Sequence, residues 1–369
     1  MVFTGEMRIL AACALLLAGS LGPAGLGGQT PAGGALIVLS KADLTLAVVD
    51  PATLRVVGRA PSGPDPHEVA VDGDGRFAYI ANYNGGGNII SVIDLKTMTA
   101  GTPIDLGPLR APHGLTFVGG KLWFTAESAK AIGRYDPASK KIDWVLGTGQ
   151  NRTHMIHVSE DQSRIVTSNV NSATLTIIEK TTGGGRGPGG PPPGRSGRGP
   201  DGPPRGGPPP GDGRGPGPQA DWDETVVAVG PGAEGFDVSP DGREIWAANA
   251  QDGTISVVNA ASKSVVATLA ANVPGANRLK FTPDGKLVLV STLSGSDLVI
   301  IDAATRHDLK RIAIGHGAAG IQMQPDGARA YVACTPDDAV VVIDLKSLAI
   351  AGRIAAGGQP DGLAWVTRR

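Results

Sequence analysis

The stretch HEVAVDGDGRFAYIAN at 67–82 recurs along this chain of 369 residues, and it predicts the fold. Further copies of the same length begin at residues 154, 234, 277 and 319. A copy one residue shorter, HGLTFVGGKLWFTAE, lies at 113–127, and half copies lie at 34–41 and 361–367. Because the copies are spaced about 40 residues apart, they indicate supersecondary units that stack into a propeller or a solenoid.

Each copy predicts two strands joined by a tight turn. Apolar residues alternate, as at Val69 and Val71, which is the period of a strand. The turn Pro240-Asp241-Gly242 combines a preset φ with a glycine that accepts positive φ. A third strand such as SVVNAAS and a weaker fourth strand such as KSVVATL follow. Four antiparallel strands per unit are typical of a propeller blade.

The two ends of the chain predict how the ring closes. The N-terminal unit has the second, third and fourth strands, whereas residues 362–366 are a first strand with nothing after it. We therefore predict an all-β, seven-bladed propeller over 34–369, with the N- and C-terminal strands in one shared blade. Such closure removes exposed sheet edges.

The first residues predict export. Met7-Arg8 precedes the apolar run ILAACALLLAGSL, so we interpret residues 1–28 as a signal peptide and expect a periplasmic or secreted protein. Leu10 to Cys13 resembles a lipoprotein box, but the apolar run continues past Cys13, which argues against lipid attachment. The run is short for a membrane span, so we expect no transmembrane span in the mature chain.

Residues 181–220 predict a disordered insert within the fourth repeat unit. Glycine and proline dominate 183–218 without a strict triplet period, which indicates a linker with partial polyproline II character rather than collagen. Five arginines against two aspartates make the segment basic. It is either a contact to cell-wall polymer, an acidic surface or another protein, or a tolerated loop expansion.

Composition excludes several function classes. The formal net charge is −1, which gives no global signal for nucleic acid binding. The chain contains no phosphate-binding glycine loop, nucleophile elbow or paired-cysteine metal motif. We expect a monomer whose partner is a small molecule or a protein at the mouth of the propeller.

The first position of the repeated stretch predicts a ring of side chains at that mouth, because inner strands begin there. This ring contains His67, His113, His154, Glu234, Asn277, Ala319 and Asp361. Imidazoles followed by a carboxylate predict a divalent transition metal bound by His67, His113, His154 and Glu234. The alternative is that the histidines cap inter-blade loops by hydrogen bonding.

A second ring arises where the second strand returns to the mouth. It contains Lys41, Asn82, Glu127, Asn169, Asn249, Thr292 and Cys334. We count Asn82, Glu127, Asn169 and Asn249 among the candidate binding residues, and we interpret Glu127 and Cys334 as the two side chains of this ring that are able to join a site. Strand parity offers another lining for the channel, the fourth position of the stretch, which includes His157, Asp237 and Lys280.

The stretch SPDGREIWAANAQDGTISVVNAASKSVVATL resembles the YVTN-type, or YncE-like, seven-bladed propellers over nearly all of 34–369 except the insert. The resemblance implies a bacterial exported protein from a family without an agreed activity. The third unit, GGKLWFTAESAKAIGRYDPAS, is similar to the repeat of streptogramin lyases, which implies a metal-dependent site using Glu127 and His154. Propeller lactonases are looser relatives.

Two hypotheses about function follow. The first is a binding scaffold in the cell envelope that holds a ligand or protein, with a metal site at the mouth. The second is a metal-dependent lactonase or streptogramin-lyase-like enzyme whose site lies at the same mouth, on His67, His113, His154 and Glu234.

Overall fold

The computed structural model describes residues 33–83, 86–181 and 221–367. The predicted signal peptide at 1–28 and residues 182–220 of the predicted insert lie outside the described residues. In the part of the chain that is described, no helix is long and apolar enough to cross a membrane.

The described strands form seven antiparallel sheets, which are the predicted blades. Blade one contains β1 (Ala35–Ser40), β2 (Thr45–Asp50) and β3 (Arg55–Pro61). Blade two contains β4 (Pro66–Val71), β5 (Phe77–Asn82), β6 (Ile89–Asp94), β7 (Thr99–Ala100) and β8 (Ile104–Asp105). Blade three contains β9 (Pro112–Val118), β10 (Lys121–Ala126), β11 (Ala131–Asp136) and β12 (Lys141–Gly147). Blade four contains β13 (Thr153–Val158), β14 (Arg164–Asn169), β15 (Thr174–Thr181) and β16 (Asp221–Ala228). Blade five contains β17 (Ala233–Val238), β18 (Glu244–Asn249), β19 (Thr254–Asn259) and β20 (Ser264–Leu269).

Blades six and seven complete the ring. Blade six contains β21 (Ala276–Phe281), β22 (Leu287–Thr292), β23 (Asp297–Asp302) and β24 (Asp308–Ala313). Blade seven contains β25 (Ala318–Met323), β26 (Arg329–Cys334), β27 (Ala339–Asp344) and β28 (Ala349–Ile354). The last strand, β29 (Pro360–Val366), pairs with β1 in blade one. Short 3-10 helices lie at Val170–Ser172 and Thr335–Asp337.

The predicted closure is confirmed. Strand β29 is antiparallel to β1, with Ala35 opposite Val366, so the two ends of the chain share blade one. Successive inner strands contact one another around the whole ring, including β29 with both β4 and β25. Every inner strand begins on the same side of the ring, which we call the mouth.

The hydrophobic core lies between neighbouring blades. Between blades one and two, for example, Ile37, Leu39, Val69 and Ile80 pack into one buried cluster. The second strands are buried along nearly their whole length, as in Ile245 to Asn249. Their apolar character follows from this position, because a blade covers them on both faces.

Glycine at the second position of the repeated stretch brings inner strands close together. A Cβ atom added to Gly114 would lie 2.6 Å from the His154 carbonyl oxygen on the next blade. Gly235, Gly320 and Gly362 face the Asn277, Asp361 and His67 carbonyls in the same way. These contacts hold the first-position residues of neighbouring blades at a fixed separation, because a larger side chain would separate the strands.

Candidate functional site at the mouth

A cavity of about 490 Å³ opens at the mouth. All seven residues at the first position of the repeated stretch line it, together with Lys41, Arg152 and Arg278. The fourth-position residues do not line this cavity, and two of them, Asp237 and Lys280, form an ion pair with an N–O distance of 3.2 Å. Residues from every blade therefore line this one cavity.

His154, at the start of β13, lies between two carboxylates. Its Nδ1 is 2.5 Å from Glu127 Oε1, and its Nε2 is 2.9 Å from Glu234 Oε2. The ring is buried, which lowers its pKa, but the bonds to Glu127 and Glu234 outweigh burial and raise the pKa of His154. Glu127 directly follows β10 in blade three and Glu234 lies in β17 of blade five, so the two blades that flank blade four supply the partners.

The two carboxylates are themselves held in place. The Tyr83 hydroxyl donates to Glu127 Oε2 at 2.6 Å, and Arg152 Nη1 donates to Glu234 Oε1 at 3.0 Å. Burial, and then the hydrogen bond to Glu127, raise the pKa of Tyr83 to about 12, so it stays a donor at physiological pH. Burial alone would raise the pKa of Glu234, but His154 and Arg152 hold it below its usual range.

His113, in β9, packs against His154 with ring centroids 3.8 Å apart and an interplanar angle of 34°. Its Nδ1 is buried and has no hydrogen-bond partner among the described residues. Burial, followed by the charges of His154 and His67, holds the pKa of His113 well below its usual range. A neutral imidazole with a free nitrogen is the form that binds metal ions.

One group of potential ligands converges among the described residues. Single ligand atoms of His113, Glu127 and His154 all lie within 4.8 Å of one another. This set shares His113 and His154 with the predicted quartet and adds Glu127, whose candidacy came from the second ring. Glu234 contacts His154 but does not belong to the group.

His67 lies beside this group rather than in it. Its Nε2 is 2.8 Å from Lys41 Nζ and its Nδ1 is 3.0 Å from Asp361 Oδ2, so both ring nitrogens have partners. Its ring centroid is 5.2 Å from that of His113. The three histidines are therefore neighbours, with His67 in a separate contact with Lys41 and Asp361.

Arg278 and Glu68 form an ion pair that joins blade six to blade two. The Arg278 side chain is buried, and its Nη1 has no partner among the described residues. Beside it, the Asn277 amide donates to the Ala319 carbonyl oxygen at 3.1 Å.

Four predicted binding residues, Glu127 and three asparagines, do not line the cavity. Asn169 bonds to Thr174 and Thr176, Asn249 bonds to Ser256, and Asn82 lies 2.7 Å from Ser91 Oγ. All three amides are buried and tie the second strand to the third within one blade. Cys334 is also buried, which raises the pKa of its thiol to about 11 and keeps it protonated.

Two residues of the site, Tyr83 and Arg152, were missed by the sequence analysis. Tyr83 follows the last position of its copy directly, and Arg152 precedes His154 by two positions. Both lie in loops just outside the aligned stretch, where the copies differ from one another. The available signal was the position of Arg152, a charged residue two positions before a histidine of the first ring.

No family model and no curated relative match this chain. Among solved structures, hydrazine synthase of Kuenenia stuttgartiensis is similar with a TM-score of 0.66 and 16% identity, over 90% of this chain and 99% of that one. A protein of unknown function from Desulfotomaculum acetoxidans has a TM-score of 0.67 and 12% identity, over 91% and 99%. The dihydro-heme d1 dehydrogenase NirN, in complex with DHE, has a TM-score of 0.58 and 14% identity, over 91% and 76%. At these identities the likeness shows the propeller fold alone.

Proposed function

We propose that this protein is an exported, YncE-like propeller that binds a divalent transition metal, and with it a small polar ligand, in the mouth cavity. The observation that carries the proposal is the convergence of ligand atoms of His113, Glu127 and His154 within 4.8 Å, with both histidines lining a cavity of about 490 Å³. Two imidazoles and a carboxylate are a common zinc ligand set, and three protein ligands leave one position open for a small molecule.

The charges around the cavity favour a dication. Lys41, Arg152 and Arg278 are the cations of the connected ion pairs, and they face five carboxylates, Asp65, Glu68, Glu127, Glu234 and Asp361. With His154 protonated between its two carboxylates, one negative charge is unmatched, and a metal ion that displaces this proton meets two unmatched negative charges. A divalent cation supplies this charge in place of the proton that His154 Nδ1 and Glu127 share.

The surrounding contacts favour a preformed site. Tyr83 and Arg152 orient Glu127, which leaves this carboxylate little freedom. His154 is held by Glu234 on the side away from Glu127. Such partners fix the orientation of metal ligands and raise their basicity.

Metal analysis tests the proposal. We expect protein purified without added metal to contain, or to take up on titration, one zinc-like ion per chain. His113→Ala and Glu127→Ala should lose it, whereas His67→Ala should retain it because His67 lies outside the converging group and contacts Lys41 and Asp361 instead. The exposed His316→Ala serves as the matched control. Absence of stoichiometric metal, both as purified and after addition, contradicts the proposal.

A metal-dependent lactonase or lyase is the second candidate. It is favoured by the chain of hydrogen bonds from Glu127 through His154 to Glu234, which holds a proton at the wall of the cavity. The test is hydrolysis of dihydrocoumarin, a simple lactone, by metal-loaded protein and by Glu234→Gln. If the metal binds but no lactone is turned over, the binding function stands and the lactonase is excluded.

Export is part of the proposal and has its own test. The apolar run after Met7-Arg8 supports cleavage of a signal peptide near residue 28. N-terminal sequencing of protein recovered from the periplasm or medium should start close to that position. Recovery of the uncleaved chain from the cytoplasm would contradict export.

A further inference from the structure

A second, larger cavity lies on the face opposite the mouth, and nothing in the proposed function uses it. It is a groove of about 1280 Å³ between blades two and three, with Glu160 of blade four at one end. Its cause is the broken outer strand of blade two, because β7 and β8 contain only two residues each and Gly101-Thr102-Pro103 separates them. The other blades have outer strands of at least six residues.

Aromatic side chains form the wall of this groove. Tyr79 and Phe117 stack with ring centroids 5.8 Å apart and an interplanar angle of 12°. Phe77 and Tyr135 lie beside them, half-buried, in the same lining. The wall therefore offers flat apolar surface in a protein with only 4% aromatic residues.

Two hydroxyl groups in the groove lack partners. The chain has four tyrosines, and the hydroxyls of Tyr83 and Tyr331 bond to Glu127 and Gln324. Those of Tyr79 and Tyr135, which both line the groove, make no hydrogen bond within the described residues. These two hydroxyls are therefore donors available to an occupant of the groove, and a ligand with carbonyl acceptors matches them.

We propose that this groove binds the proline-rich segment of the same chain, residues 188–210. That segment contains Pro-Pro-Pro at 191–193 and again at 208–210, a composition that favours polyproline II. Aromatic-lined grooves recognise polyproline II, because the preformed helix presents flat proline rings and unpaired backbone carbonyls. The stacked rings and the two tyrosine donors match both features.

Charge supports the same occupant. The segment between the paired strands has five arginines and two aspartates. The groove is lined by Asp72, Asp74, Asp105 and Glu160, against Lys140 and Lys141. The acidic excess of the groove complements the basic excess of the segment.

The segment also starts in the right place. Thr181 and Asp221 are register partners at the end of β15 and β16, on the face opposite the mouth, where the groove opens. Residues 182–220 leave from this point, in the same blade as Glu160. Half of that length, extended as polyproline II at about 3.1 Å per residue, reaches about 60 Å, which is ample for a groove that begins in the same blade.

Weak intrinsic affinity is enough for occupancy within one chain. A short flexible tether gives an effective concentration of about 1 mM. With a dissociation constant of about 100 µM for the free segment, the groove is occupied about nine-tenths of the time. A peptide added to the intact protein then binds about tenfold more weakly than to a chain without the segment.

The experiment compares the full chain with a variant that lacks 183–218. This deletion leaves a three-residue loop between Thr181 and Asp221, a length that hairpins accept. A synthetic peptide of residues 187–211 is titrated into each protein by calorimetry. We expect binding to the deletion variant at about 100 µM and binding at least tenfold weaker to the full chain.

Two variants made in the deletion background locate the site. Phe117→Ala should abolish binding and Tyr135→Phe should weaken it several-fold, whereas the exposed Val266→Ala in blade five should leave it unchanged. Tyr135→Phe keeps the ring, so its effect is separable from misfolding, which circular dichroism checks. Metal content does not change with these variants, so failure here leaves the proposed function intact.

Two results would overturn the proposal. The first is no binding of the peptide to the deletion variant, or equal affinity for both proteins. The second is a concentration-dependent dimer of the full chain that becomes monomeric on deletion of 183–218. That outcome would assign the groove to the segment of a second copy.

Discussion

The imidazole of His154 bonds through both ring nitrogens to carboxylates that are themselves bonded to Tyr83 and Arg152. Removing one member of such a buried network leaves the others without partners, and an unsatisfied buried group costs about 1–3 kcal/mol. His113 packs against the His154 ring and keeps a free nitrogen, Nδ1. At the scale of the residue, the site thus combines a fixed hydrogen-bond network around His154 with one imidazole nitrogen, His113 Nδ1, that has no partner among the described residues.

Tyr83→Phe tests this arrangement because it removes only the hydroxyl that donates to Glu127. We expect a loss of about 1.5–3 kcal/mol in the free energy of unfolding, since the acceptor is a buried charge. Metal affinity should fall about 10–100-fold, because Glu127 loses its orientation. Urea unfolding and metal titration measure the two effects.

The control is Tyr135→Phe in the full chain, which leaves the contacts of the mouth untouched. It should leave metal affinity unchanged. Equal metal affinity in Tyr83→Phe and the control would show that the hydroxyl does not position Glu127.

At the scale of the element, the inner strands decide where the site residues stand. Their second position is glycine in four blades, at Gly114, Gly235, Gly320 and Gly362. Each of these glycines lies against a carbonyl oxygen at the first position of the next blade. The separation of neighbouring first-position side chains is therefore set by backbone contacts, not by the side chains themselves.

Gly235→Ala should disturb this packing. The added Cβ would meet the Asn277 carbonyl oxygen and Arg278 Cα, so the strands must separate, at a cost of about 1–3 kcal/mol typical of overpacking. Gly147→Ala is the control, because a Cβ at Gly147 meets nothing within 4 Å. Urea unfolding of both variants gives the comparison, and equal midpoints would contradict close strand contact.

At the scale of the whole molecule, stability depends on closure of the ring. Strand β29 is the inner strand of blade one and contacts the inner strands on both sides. Without it, β1 would present an open edge and two inter-blade cores would lose one wall. We therefore expect cooperative unfolding of all seven blades to require β29.

A chain that ends at Gln359 tests this dependence. We expect it to lose cooperative thermal unfolding and to aggregate through the exposed edge of β1, as followed by circular dichroism and light scattering. The control is also a deletion, that of 183–218, which removes more residues but no described strand. If the truncated chain melts cooperatively at the temperature of the intact protein, closure by β29 is not needed for stability.

The amino-acid sequence by itself determined the seven blades, the closure by the two ends and the ring at the mouth. The reason is that the repeated stretch places equivalent residues at the same height in every blade. In the structure, His67, His113, His154 and Glu234 all line one cavity. Strand parity favoured the fourth position as a lining of the channel, whereas the cavity at the mouth is lined by first-position residues, at the start of each inner strand.

Only the tertiary structure decided which atoms meet. Glu127 joins His113 and His154 because the end of a second strand lies beside the inner strand of the next blade, whereas Lys41 and Asp361 engage both nitrogens of His67. The groove between blades two and three also arises only in three dimensions, from an outer strand too short to cover its neighbours. A repeat specifies the height and angle of a side chain around a ring, but side-chain directions and contacts across blades depend on packing, which differs from copy to copy.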